Sequence, residues 1–177
     1  MALKATSSPI AISTNFVQGA ASTFNVQVVD LQLNPLDLEV FVVTAVKIDF
    51  NNLPTVVGIP DSLVQGEFRA SVCKSRPTAM QGIGDNNCIA AADVTQSTAF
   101  DAASNPIALA YHENSPMDTP PSQLEYLDII ATDSFFIALD GTNTPNAATG
   151  AVRLFGYRAR ADSATYAALV QSEMLSA

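Results

Sequence analysis

The stretch LEVFVVTAVKIDF, residues 38 to 50, decides the fold class. Its middle is rich in β-branched and aromatic residues, and its end alternates strictly, with apolar Val46, Ile48 and Phe50 separated by charged residues. β-Branched and aromatic residues favour strands, and a period of two places alternate side chains on one face. The pattern therefore predicts a long strand with one face against a core.

Strand-like runs of the same kind recur along the chain. The other runs are 24–33, 63–75, 105–115, 124–131, 134–141 and 151–161. In the first of these the apolar phase changes by one residue after Val28, which predicts a β-bulge there. The Ala-rich stretch CIAAADVTQSTAFDAAS, 88 to 104, fits either a short helix or an extended loop with one strand.

These runs predict an all-β fold, an antiparallel β-sandwich of jelly-roll type with a short C-terminal α-helix. No alternating helices are available to cover a parallel sheet, so the strands should pair antiparallel. Long Pro-rich connections such as 115–123 favour crossing between sheets, as in a Greek key or jelly roll. The predicted organisation is an N-terminal arm or short first strand (1–20), the jelly-roll sandwich (21–161) and the helix (162–177).

The C-terminal part supplies candidate interface residues. Asp162 or Ser163 can cap the helix, whose apolar residues recur at helical spacing. Three arginines alternate along the preceding strand, and they fit either ion pairs between subunits or a solvated sheet edge. The candidate interface residues are Arg153, Arg158, Arg160, Tyr166, Leu169, Val170 and Met174.

Composition favours a subunit that assembles with copies of itself. Apolar residues make up 48% of the chain and charged residues only 14%, well below the roughly 25% of an ordinary soluble protein. Charge-poor surface suits burial against identical copies, although a monomer rich in small polar residues has a similar composition. The net charge of −9 argues against direct nucleic-acid binding, which needs clustered Lys and Arg.

The termini and hydropathy give no sign of a membrane protein. No run reaches the roughly 18 apolar residues that a bilayer-spanning helix requires. The first residues, MALKATSSPIAIST, contain no continuous apolar segment, so we expect no secretory signal. The sequence therefore predicts a soluble chain.

Candidate chemistry is sparse. His112, Glu113 and Asp118 occur together in sequence and could form a metal site or a general base with its orienting acid, but no nucleophile motif accompanies them. The Asp/Asn-rich loops 82–88 and 140–146 lack the ligand spacing of an EF-hand and are typical of turns. We therefore expect no enzymatic activity, no catalytic residues, no metal or cofactor, and no small-molecule ligand.

Cys73 and Cys88 are the two cysteines of the chain, and they flank a Gly-rich turn. A disulfide between them would stabilise the fold by about 3 kcal/mol in the loop-entropy model. Two free thiols are equally compatible with the sequence, and with the single histidine they do not make up a zinc site.

The order of features resembles that of the single jelly-roll capsid proteins of icosahedral viruses. The resemblance lies in a small polar arm, a strand-rich middle, Pro-rich loops, and a last strand, GAVRLFGYRARAD (150–162), that runs into the helix ATYAALVQSEML (164–175). It implies a capsid subunit of an icosahedral virion shell that is assembled in the host cytoplasm and contacts copies of itself and other capsid proteins. Because the arm is not basic, the resemblance implies no direct genome binding.

Two other classes of function fit a charge-poor sandwich. One is a binding module, such as a receptor- or glycan-binding spike or fibre domain, for which an exposed aromatic platform is expected. The other is a tail-tube, decoration or pilus-like subunit. Imaging of the purified chain separates them, because shells, filaments and glycan-binding monomers differ in size and shape.

Overall fold

A computed structural model describes residues 3–114 and 125–175. In these two segments the chain forms ten strands, a 3₁₀ turn at Pro35–Asp37 and one α-helix. The strands are β1 (Lys4–Ala5), β2 (Ile10–Val17), β3 (Asn25–Asp30), β4 (Glu39–Phe50), β5 (Leu63–Cys73), β6 (Cys88–Phe100), β7 (Pro106–Asn114), β8 (Asp128–Ile130), β9 (Ser134–Thr142) and β10 (Thr149–Arg160). The helix is α1 (Ser163–Leu175).

The strands form two antiparallel sheets. In the first sheet β10 lies beside β4, β8 pairs with the far side of β4, and β1 and β2 both pair with β10. The second sheet has the order β3–β9–β5–β6–β7. The predicted all-β antiparallel sandwich with a C-terminal helix is confirmed.

The main core lies between the inner faces of the two sheets. Strand β4 contributes Phe41 and Ile48, and β9 contributes Phe135 and Ile137, all of them almost fully buried. The alternation noticed in residues 38–50 thus corresponds to the inner face of β4. Burying each such side chain contributes roughly 1.5–3 kcal/mol relative to exposure.

Strand β3 differs from the prediction. Its register with β9 runs without a shift from Asn25 to Asp30, so the predicted β-bulge is wrong. The outward positions of this edge strand include Val28, which is exposed, whereas Val29 and Leu31 point towards the core. The change of phase in the sequence therefore arises because β3 carries apolar residues on both of its faces.

Two segments that the sequence left open are extended. Residues 88–100 form β6, which pairs with β5 and β7, and its even-numbered positions from Ala90 to Phe100 are buried on the inner face. Residues 10–17, in the region predicted as an arm or first strand, form β2 and bury Phe16 in the core. The predicted Pro-rich loop at 115–123 lies outside the described residues.

Two glycines of β10 allow a close approach between neighbours. A Cβ at Gly150 would lie 2.2 Å from the Asp49 carbonyl oxygen and 2.3 Å from the Phe16 ring. A Cβ at Gly156 would lie 2.2 Å from the Val42 carbonyl oxygen and 2.6 Å from the Phe41 ring. Neither position can accept a side chain without a shift of the backbone.

Replacing Gly156 by Ala should destabilise the fold by about 2–3 kcal/mol, since the new methyl group must push β4 and β10 apart. The measurement is the free energy of unfolding in urea. Gly82→Ala is the matched control, because a Cβ at Gly82 would meet nothing within 4 Å. Equal stability of the two variants would contradict the packing described for β10.

Candidate functional site

Helix α1 begins directly after β10 and is capped by Asp162. The Asp162 carboxylate accepts hydrogen bonds from the Thr165 backbone N–H at 2.8 Å and from the Thr165 hydroxyl at 2.9 Å. These hydrogen bonds lower the pKa of Asp162. The predicted cap is thus confirmed at Asp162, and it fixes the direction in which α1 leaves the sheet.

The helix packs on a second apolar cluster, on the side of β4 opposite to the main core. Val40 and Val42 of β4 belong to this cluster, and Tyr166, Leu169 and Val170 of α1 pack against it. These three candidate interface residues therefore make contacts within their own chain.

Glu173 rather than Met174 completes the packing face of α1. Glu173 is 2% exposed, whereas Met174 is 72% exposed. The Glu173 carboxylate accepts hydrogen bonds from the backbone N–H groups of Ala131 at 2.6 Å and Thr132 at 3.1 Å, which lie between β8 and β9. Sequence reasoning missed this residue because a carboxylate in a helix is usually solvated.

Burial raises the pKa of Glu173 above its ordinary value of 4.5. The hydrogen bonds from Ala131 and Thr132 and the charge of Lys74 act in the opposite direction. Burial also raises the pKa of Tyr166, with smaller contributions from the charges of Glu173 and Asp133. Glu173 therefore holds the end of the helix on the sheet, although burial disfavours its ionised form.

The three candidate arginines lie in different environments. Arg158 is engaged within the chain: its guanidinium lies 3.2 Å from the Glu39 carboxylate and donates to the carbonyl oxygens of Leu31 at 2.9 Å and Gln32 at 3.1 Å. Exposed Arg153 donates to the Ser13 hydroxyl at 3.0 Å. Arg160 is exposed at the end of β10. Of the seven candidates, Arg153, Arg160 and Met174 are the exposed ones.

Strand β7 is the longest strand of the sandwich whose residues are all exposed. It is the last strand of its sheet, and all nine of its residues are exposed. Ile107, Leu109 and Tyr111 are 67%, 55% and 49% exposed. From Pro106 to Tyr111 the strand carries no charge, so it presents an apolar, neutral edge.

The apolar side of β7 faces in the same direction as the core. Leu109 lies opposite Thr98 in the ladder, and Tyr111 lies opposite Gln96. Thr98 and Gln96 are buried on the inner face of β6, and residues directly opposite each other share a face. Leu109 and Tyr111 are nevertheless exposed. The first sheet therefore covers the inner face of β6 but not that of β7.

The sequence motifs that suggested chemistry are separated or engaged in turns. His112 and Glu113 are exposed neighbours on β7 and point to opposite faces of the strand, and Asp118 lies outside the described residues. In the loop 82–88, the side chain of Asn87 accepts from the Ser75 backbone N–H at 2.7 Å and donates to Gln81. Across residues 3–114 and 125–175, no group of three His, Cys, Asp or Glu side chains could hold a metal ion.

None of the helical segments described is both long and apolar enough to cross a membrane. No protein-family model matches the chain, and no curated protein matches it at a significant level. A function therefore has to be inferred from the chain's own fold and surfaces.

The buried carboxylate predicts a pH dependence of stability. Since the pKa of Glu173 is higher in the folded chain than its ordinary 4.5, the folded state binds more protons in the interval between the two values. The free energy of unfolding should therefore fall as the pH rises from 4.5 through the folded-state pKa, by about 1.4 kcal/mol for each unit of the shift.

Urea unfolding of the native chain and of Glu173→Gln between pH 4.5 and 8 measures this effect. The variant has no carboxylate at this position, so it should lose that part of the pH dependence. Glu113→Gln, which removes an exposed carboxylate of β7, controls for the change in net charge. A native chain and a Glu173→Gln variant with the same slope would show that Glu173 does not titrate as described.

Proposed function

We propose that this chain is a structural subunit that assembles with copies of itself into a closed icosahedral shell, as a single jelly-roll capsid protein. The order of strands supports a jelly roll. Strands β2 to β5 alternate between the two sheets, and the last strand, β10, returns to lie between β2 and β4. Such returns are typical of the Greek-key connections from which jelly rolls are built.

The observation that carries the proposal is the neutral apolar edge of β7. Monomeric proteins usually protect an edge strand with charges, prolines, bulges or a covering loop. Here an irregularity and Pro106 interrupt only the start of β7, and the ladder with β6 is regular from Ala108 to Asn114. Among the residues that the structure describes, no strand pairs with the outer edge of β7, so a second copy can bury Ile107, Leu109 and Tyr111 and add a strand there.

Charge explains why association at this edge is specific. A chain with a net charge of −9 repels its own copies, and the repulsion is smallest where the contact is neutral. The uncharged part of β7 supplies such a contact. Assembly through this edge also requires little reorganisation, because its side chains are already exposed in the single subunit.

The same charge distribution supports a shell that does not bind the genome directly. Of the eight basic residues, four form ion pairs within the chain, namely Lys47, Arg69, Lys74 and Arg158. Of the other four, Lys4 and Arg160 lie opposite each other in the ladder between β1 and β10. Two such residues are fewer than the cluster of Lys and Arg that phosphate neutralisation requires. Within the proposal, other capsid proteins are the further partners, the virion is the location, and no catalytic role is assigned.

Purified native chain should form closed particles, and Leu109→Lys should remain a folded, smaller species. A Lys at this edge places a hydrated charge in the contact, which is a common way of blocking strand addition. Size-exclusion chromatography with light scattering and negative-stain imaging measure the outcome.

Leu36→Lys is the matched control, since Leu36 is 90% exposed and lies in the 3₁₀ turn rather than in β7. It should assemble like the native chain. A native chain that stays monomeric at high concentration would contradict the shell proposal. If Leu109→Lys forms particles of the same size and shape as the native chain, the role of β7 would be contradicted, but the shell proposal would not.

Two exposed tyrosines favour a second candidate, a glycan- or receptor-binding sandwich. Tyr111 of β7 is 49% exposed and Tyr126, just before β8, is 38% exposed, whereas Tyr157 and Tyr166 pack against the cluster beneath α1. Aromatic faces of this kind can stack on sugar rings. A native monomer that binds glycans and loses binding in Tyr111→Ala would favour this function, and filaments would favour a tube or pilus subunit.

A further inference from the structure

We propose that Cys73 and Cys88 form a thiol pair that is oxidised reversibly to a disulfide within the chain, and that this bond closes the loop between β5 and β6. Both cysteines are free thiols in the structure described above. They lie opposite each other at the ends of two neighbouring antiparallel strands. The proposal concerns the single chain and is independent of whether the chain forms a shell.

A β-bulge places the two thiols together. Val72 pairs with Ala90, but the next residue of β5, Cys73, pairs with Cys88, so that Ile89 has no partner in the ladder. In a regular ladder Cys73 would lie opposite Ile89, and Cys88 would point to the other face. The extra residue turns Cys88 to the face on which Cys73 lies, which is how bulges re-aim side chains.

The backbone at this position suits a disulfide. In a regular antiparallel ladder, directly opposite residues have Cα atoms about 4.5–5.5 Å apart, which falls inside the range of about 4.4–6.8 Å found for disulfides. Cys73 and Cys88 are the ladder pair next to the bulge. The Lys74 backbone N–H donates to the Asn87 carbonyl oxygen at 3.0 Å, so the two ends of the loop are already joined next to the cysteines. Bond formation therefore needs little movement of the backbone.

The two thiols have different environments. Cys73 is fully buried and Cys88 is half-buried. The interaction of the two thiols lowers the pKa of Cys73, although burial acts in the opposite direction, and the same interaction together with burial raises the pKa of Cys88. The Ser71 hydroxyl lies 3.6 Å from the Cys73 sulfur and also lowers the pKa of Cys73.

Oxidation by a small-molecule disulfide such as oxidised glutathione proceeds in two exchanges. The accessible Cys88, as its thiolate, attacks one sulfur of the oxidant; the oxidant's S–S bond breaks, and one thiolate leaves as a mixed disulfide forms. The Cys73 thiolate then attacks the Cys88 sulfur and releases the second thiolate. Two protein thiols lose two electrons, the oxidant gains them, and the two protons from Cys73 and Cys88 end on the two released thiols.

This order of events predicts which residue reacts first. The raised pKa of Cys88 makes the first exchange slow at neutral pH and faster as the pH rises. The second exchange is fast, because Cys73 lies opposite Cys88 in the ladder and the exchange takes place within one chain. A dithiol reductant reverses both steps.

The test uses the full native chain, incubated with oxidised glutathione or with a dithiol reductant. We expect the oxidised sample to lose both free thiols and the mass of two hydrogens, with a peptide bridge between Cys73 and Cys88 and no dimer on a non-reducing gel. Closing the loop should raise the melting temperature by about 5–10 °C, and the reductant should reverse the rise.

Single Cys→Ser variants separate the role of Cys88, which attacks the oxidant, from that of Cys73, which resolves the mixed disulfide. Cys73→Ser should accumulate the mixed disulfide at Cys88, because the resolving thiol is missing. Cys88→Ser should remain unmodified while folded, because Cys73 is buried. Native chain whose two thiols both stay free at oxidative equilibrium, or whose disulfides form only between chains, would overturn the proposal.

Discussion

The close packing of β10 against its neighbours is the constraint on which the rest of the sandwich depends. This strand pairs with β4 along eleven positions and with β2 along eight. It therefore connects β2 on one side of the first sheet with β4 and β8 on the other. At Gly150 and Gly156 the space of the missing side chains is taken by the rings of Phe16 and Phe41. Because both rings also belong to the main core, the position of β10 and the packing between the sheets are determined together.

Two basic side chains, Lys74 and Arg158, connect the two sheets. Lys74 directly follows β5 of the second sheet, and its ammonium lies 3.1 Å from the carboxylate of Asp128 in β8 of the first. Arg158 of β10 binds carbonyl oxygens just beyond β3 as well as Glu39. Partly buried pairs of this kind contribute modestly to stability, but they fix which residues face each other. Since these charges are paired within the chain, fewer unpaired charges remain on its surface.

The sequence predicted the elements whose residue pattern is compatible with one structure only. It failed where the same pattern fits two structures. The strand at 38–50 and the cap at Asp162 were predictable, because alternation and a capping carboxylate each have one common structural meaning. The long strand β6 was ambiguous, because alanine fits a helix as well as the narrow inner face of a sheet. The buried role of Glu173 was not predictable, since it depends on two N–H groups that only the tertiary fold brings to the end of α1. The bulge at Ile89 has no sequence signal that distinguishes it from regular pairing.

The position of α1 limits how copies of the chain can meet. Tyr166, Leu169 and Val170 are only partly buried, but an interface that used the faces by which they pack on the sheet would require the helix to leave its sheet and expose Val40 and Val42. Exposing these two valines alone costs roughly 1.5–3 kcal/mol each, and the neighbour would have to bury them again with an equivalent helix. An exchange of identical helices meets that requirement, because it restores the same contacts. The exposed edge of β7 has no such cost, so association through β7 with α1 left in place is the simpler arrangement.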